Sequence, residues 1–137
     1  MTQEEKRLLL KELSARLPYG VQVDYNGFSK RLSNITCVHL FNGSDTVQDV
    51  DAGTDFFGDG EDCLDICLIK PYLRPMSSMT AEENIEYQKR VKVIQDIDRT
   101  LHWCQTAESI DWLNEHHFDY RELIEKGLAL EAPENMY

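Results

Sequence analysis

Two Asn-Gly pairs, Asn26-Gly27 and Asn42-Gly43, fall inside a middle segment rich in β-branched and aromatic residues. Asn-Gly is the favoured pair of the type I′ turn, whose twist matches that of paired antiparallel strands. The segment 21–70 must therefore fold back on itself as short antiparallel strands. Val21-Gln22-Val23-Asp24-Tyr25 alternates apolar and polar residues, the period of a half-buried strand. Leu32 to Phe41 reads as the next strand and Thr46 to Val50 as a weaker one. Cys63 to Ile69 reads as a fourth, closed by Pro71.

Helix signals flank this middle. Thr2 and Glu5 form a capping box, and Leu9, Leu10, Leu13 and Leu17 follow at helical spacing. A helix over 3–16, within 2–17, should end at Pro18 and Gly20. Pro71 and Pro75 make 71–79 an extended linker. Thr80 and Glu83 are a second box, and Tyr87, Val91, Ile94, Ile97 and Leu101 form an apolar stripe. That stripe predicts one long helix of about five or six turns. Thr106 caps a further helix holding Ile110, Trp112 and Leu113, and His116-His117 sits at its end, where histidine suits the last carbonyls. Asp119 to Glu122 reads as a third box, opening a short helix that Gly127 ends. Residues 80–127 are thus expected to be helices, and 1–137 a single domain. Segregation of helix, strands and helices predicts an α+β fold. Three or four strands would make a small curled antiparallel sheet or a partly open barrel.

Charge narrows the function. Leu32 to Ile69 holds no lysine or arginine but eight carboxylates, and the net charge is −11. Such a field repels phosphate backbones and anionic membranes and attracts basic surfaces. The expected partner is a protein with a basic surface, with neither direct nucleic-acid binding nor membrane binding. The oligomeric state is not readable. The start of the chain lacks a secretory h-region, and no window has the 18 or so apolar residues of a span. A cytoplasmic setting with reduced cysteines is expected.

The loop 51–62 is rich in Gly and Asp, with Phe56 and Phe57 at its centre. Calcium prefers several carboxylate oxygens, but no frame of this loop fits an EF-hand. Counting from Asp55 puts Phe57 at the third position and Ile66 where a bidentate Glu belongs. The plain reading is a solvated loop. If Phe56 and Phe57 project, an aromatic anchor ringed by Asp55, Asp59, Glu61 and Asp62 suits a basic protein. Tyr72 and Arg74 offer a second contact surface, or simply a hinge. Cys63 and Cys67, four apart, would share a face of one strand, as Cys37 and His39 would of another. Pairing of those strands would gather four weak metal ligands, although cysteine in a sheet is usually core. No cofactor is expected, because no P-loop, dinucleotide fingerprint, nucleophile elbow or H-E-x-x-H motif occurs.

Two stretches resemble short proteins from gut Bacteroidetes and from their phages or integrated elements. One is Ile69-Lys70-Pro71-Tyr72-Leu73-Arg74-Pro75-Met76-Ser77-Ser78-Met79-Thr80. The other runs from Trp112 through Arg121 and Leu123 to Pro133, ending Met136-Tyr137. The resemblance implies a bacterial or phage origin and a cytoplasmic setting. It implies no activity, substrate or cofactor.

Three functions fit these observations. The leading one is a non-enzymatic protein-interaction module with an acidic surface, such as a mobile-element accessory protein. The second is a metal-binding protein or enzyme with a site near Cys37, His39, Cys63 and Cys67. The third is a structural subunit of a larger assembly.

Overall fold

The computed structural model describes residues 1–38, 49–54 and 62–137. Helix α1 spans Gln3–Arg16, with both halves of its box made: Glu5 N–H donates to Thr2 Oγ1 and Thr2 N–H to Glu5 Oε2. A short 3-10 turn, Leu17–Tyr19, follows, and Gly20 at φ +71 reverses the chain. Strand β1 (Gln22–Tyr25) then pairs with β2 (Phe28–Val38) through Asn26 and Gly27, both at positive φ. Strands β3 (Asp49–Thr54) and β4 (Asp62–Asp65) continue the antiparallel ladder.

The stretch read as a linker is instead partly sheet. Strand β5 (Lys70–Leu73) pairs antiparallel with β1, and Val23 lies opposite Pro71. Proline is tolerated near a strand start or an open edge. Pro71 is the second residue of β5, and β8 (Leu130–Glu131) joins only from Tyr72 onward. That last pairing is parallel, so the sheet is mixed rather than wholly antiparallel. Among the described residues the main sheet has six strands, ordered β4-β3-β2-β1-β5-β8, and it does not close into a barrel.

Helix α2 (Ala81–Gln88) begins on the expected Thr80–Glu83 box but is only eight residues long. The chain then forms a separate hairpin, β6 (Lys92–Gln95) with β7 (Leu101–Cys104). The long helix is therefore overturned. The same stretch holds Val91, Val93, Ile94, Ile97 and Thr100, β-branched residues that lose side-chain freedom in a helix and fit a strand. Helix α3 (Ala107–Glu115) starts at Thr106 as expected. No helix follows Asp119. Its carboxylate accepts from the Leu123 and Ile124 amides, but Glu122 lies at φ +61, and the backbone makes turns instead.

The fold remains α+β. Leu9 and Leu13 of α1 pack on Val21, Val23, Leu32, Ile69 and Leu73 of the sheet region. Leu123, Leu128 and Ala129 from the final turns join them. A second cluster, Trp112, Leu113 and Phe118, is built around α3 and takes in Met79 and Tyr87. Among the described residues, no helix is long and apolar enough to cross a membrane.

Candidate interaction surface

The hairpin β6–β7 stands between α2 and α3. Its base is fastened at two points: Thr106 Oγ1 donates to the Arg90 carbonyl, and Gln105 Nε2 donates to Tyr87 Oη at 3.1 Å. Tyr87 in turn lies 5.8 Å from the Trp112 ring in the second core cluster. The base is thus anchored to packed structure.

Beyond the base, the hairpin has little cover. Val93 lies opposite Trp103, and Gln95 opposite Leu101, so these four share one side. Lys92 with Cys104 and Ile94 with His102 form the other. Trp103 is 59% exposed, Leu101 57% and Ile97, at the tip, fully exposed. An isolated two-stranded hairpin is marginal in water, because it has no core to bury. Such a run of exposed apolar side chains is unusual, since monomers seldom leave a contiguous apolar patch open to water.

The tip is defined by backbone bonds. Arg99 N–H donates to the Asp96 carbonyl at 2.9 Å, and Asp96 N–H to the Thr100 carbonyl at 3.0 Å. Arg99 lies at φ +67. This is a three-residue loop, a turn followed by one left-handed residue. Asp98 accepts from the Thr100 amide, which holds its carboxyl below the usual range. Asp96 Oδ2 lies 2.6 Å from His102 Nε2. Ile97 therefore projects between two carboxylates, Asp96 and Asp98.

The residues singled out from the sequence lie elsewhere. Asp55, Phe56, Phe57, Asp59 and Glu61 lie outside the described residues, as do His39 and most of the expected strand Thr46 to Val50. Asp62 opens β4 and Asp51 lies within β3, so both ends of the expected loop are strand. Tyr72 and Arg74 are engaged within the chain. Tyr72 Oη donates to Asp24 Oδ1 at 3.1 Å, and burial followed by that carboxylate raises its pKa. Arg74 Nη1 and Nη2 donate to the two oxygens of Glu83, each at 2.8 Å. Its guanidinium also lies 4.2 Å from the centre of the Phe118 ring. These bonds, Arg74's first among them, hold the Glu83 carboxyl at about 2.

Of the candidate ligands, His39 lies outside the described residues, and the strand expected to carry both Cys63 and Cys67 is shorter than expected. Strand β4 ends at Asp65, and Cys67 lies in a 3-10 turn, Ile66–Leu68, so Cys63 and Cys67 do not share a strand. Cys37 is on β2, and β3 lies between β2 and β4. Apolar Ile66 and Ile69 turn into the core on either side of Cys67, which breaks the strand. Among the described residues, no group of three or more His, Cys, Asp or Glu side chains is placed so that it could hold a metal ion.

A buried polar network escaped the sequence reading. Glu12 and Arg16 are fully buried, and Arg16 Nη2 donates to Glu12 Oε2 at 2.7 Å and to the Phe118 carbonyl at 2.8 Å. Arg121 Nη1 lies 2.7 Å from Glu12 Oε1, out of hydrogen-bond alignment. His117 is 4% exposed and stacks on Tyr137 at 3.7 Å. Burial first, and then the Arg16 charge, push the His117 pKa down to about 4. Tyr137 Oη donates to the Tyr72 carbonyl and accepts from Gln22 N–H, and burial pushes its pKa up to about 12. The signal for Glu12–Arg16 was present, since 9, 12, 13 and 16 follow the helical i, i+3, i+4, i+7 spacing. This network joins α1 to the final turns.

His116 takes the position expected of it. Its Nδ1 lies 2.8 Å from the Trp112 carbonyl, which only accepts, so this nitrogen carries the proton. Two surface hollows flank Pro75 and Glu131, of about 530 and about 490 Å³. The first includes Arg74, already neutralised by Glu83; the second includes Asp119, already bound to two amides. Comparison of the chain with protein-family models, curated proteins and solved structures found no match.

Proposed function

We propose that this chain is a non-enzymatic protein-interaction module whose contact element is the hairpin of β6 and β7. The observation that carries this reading is the exposure of Ile97, Leu101 and Trp103 on an element whose base is fastened to the core. Fastening the base limits the ordering entropy still to be lost on binding, which favours affinity. Large apolar side chains, tryptophan above all, are the usual anchors of interfaces. The net charge of −11 favours basic over acidic surfaces on any additional protein partner. A mobile-element accessory role in the cytoplasm is compatible with this reading.

The test is a photo-crosslinking residue placed at Ile97, with a second at exposed Lys11 as control. Adducts formed through position 97 and not through 11, and lost in Trp103→Ser, are expected. Equal labelling from both positions, or none from 97, overturns the reading. The adduct mass states whether the captured molecule is another protein or a second copy.

A further inference from the structure

From the charge order along β6, we propose that the hairpin's partner is a second copy of this chain, joined edge to edge through β6. This inference rests on the hairpin being the contact element. Strand β6 pairs on one side with β7, and among the described residues no other strand pairs with it. The open side has defined donors and acceptors. Asp96 N–H bonds to the Thr100 carbonyl, so the alternation of an antiparallel ladder turns the backbone groups of Ile94 and Lys92 toward β7. Those of Val93 and Gln95 then face outward.

The sequence across this edge reads Lys92-Val93-Ile94-Gln95-Asp96, positive at one end and negative at the other. A two-fold axis at Ile94 sets Lys92 opposite Asp96 of the second copy, twice over. The same register sets outward-facing Val93 opposite outward-facing Gln95, the arrangement that makes ladder bonds. Ile94 meets its own equivalent. Opposite charges facing across strands stabilise a pair, and like charges destabilise it. An isologous two-fold contact is also the commonest form of self-association. The product is a four-stranded sheet, in which the exposed sides of two hairpins become continuous. At physiological salt the Debye length of about 8 Å screens repulsion between the two acidic bodies more than contacts within the sheet.

The experiment is analytical ultracentrifugation of the full chain over a concentration series, at physiological ionic strength. Wild type should show a monomer–dimer equilibrium. Lys92→Asp and Asp96→Lys, taken singly, place like charges opposite each other and should weaken dimerisation by about tenfold or more. The double exchange restores opposite charges and should restore the dimer. Ile94→Cys supplies a second measurement with the charges intact. Its two sulfurs meet on the axis, where the Cα separation of about 4.5 Å suits a disulfide, so oxidation should give a covalent dimer absent from wild type. A wild type that stays monomeric, single exchanges without effect, a double exchange that fails to restore, or no covalent dimer each overturns the proposal. Adducts from Ile97 to a different protein, with wild type monomeric, would overturn self-pairing and leave the hairpin as the contact element. No adduct of any kind would remove both.

Discussion

Arg74 and Glu83 meet as a fork on a fork, with two parallel N–H···O bonds of 2.8 Å between the residue just after strand β5 and helix α2. Glu83 also receives the Thr80 amide, so one carboxylate closes the capping box and ties the helix to the sheet. A planar guanidinium is needed for both bonds and for its stack on Phe118. Arg74→Lys, which keeps the charge, should therefore lower stability by about 1–2 kcal/mol. Denaturant unfolding checks this. Arg74→Lys combined with Glu83→Gln should cost less than the sum of the two, since they share one interaction.

Acid should unfold the protein in two stages. The folded His117 value of about 4 lies below its ordinary 6.5, so the unfolded chain takes that proton first. Stability therefore falls as pH drops from 6.5 toward 4, by roughly 3 kcal/mol, and this contribution levels off below. Glu83, at about 2 against an ordinary 4.5, adds stability that is intact above 4.5 and lost on the way to 2. His117→Asn keeps a residue tolerant of the local φ of +60 and cannot titrate. Urea midpoints against pH should lose the upper stage in that variant and keep the lower.

Glu12→Gln leaves Arg16 buried without its counter-charge. The expected loss is about 3–5 kcal/mol, because the uncompensated charge stays in the core. Replacing Glu12 and Arg16 together by Met should recover much of it. Thermal unfolding of the three variants decides the point, and equal loss in the double variant would contradict it.

Arg99 occupies the left-handed position of the hairpin tip, where glycine has no side-chain penalty. Arg99→Gly should stabilise the hairpin by about 0.5–1 kcal/mol, partly offset by greater freedom when unfolded. Amide exchange of β6 and β7 should slow while exchange in the main sheet stays unchanged.

Much of this fold was legible where the chemistry is local. Thr2 and Thr106 each cap the helix expected of them, Thr80 caps a helix that starts where expected but ends early, and Asn26-Gly27 makes the expected turn. Legibility failed where two periods fitted the same residues. Tyr87, Val91, Ile94, Ile97 and Leu101 satisfy a helical stripe, yet Val93 and Trp103 belong to the same stretch and pair across strands. A helix there would have needed a surface to cover its stripe, and a hairpin tip needs none. The β5–β8 pairing could not be read locally, because Tyr72 and Leu130 meet only after the fold has formed. For the same reason Arg16, an ordinary surface residue by type, gave no hint of its bond to Phe118. The exposed residues of the hairpin were read as the buried stripe of a helix, so the candidate surface was visible only once its period was known.

Gln22 and Tyr137 are joined across 115 positions, and that span has a consequence during synthesis. Helix α1 leaves the ribosome before the sheet and the final turns, with Leu9 and Leu13 uncovered. The turns that supply Leu123, Leu128 and Ala129 to the same core come at the other end. At about 5–20 residues per second, the leucine face waits roughly 5–20 s for its last partners. Throughout that interval Glu12 already has Arg16 one helical turn away, so two carboxylate–guanidinium charges lie beside the exposed leucines. The pair that ends as a buried tie thus begins as a charged guard on the nascent helix.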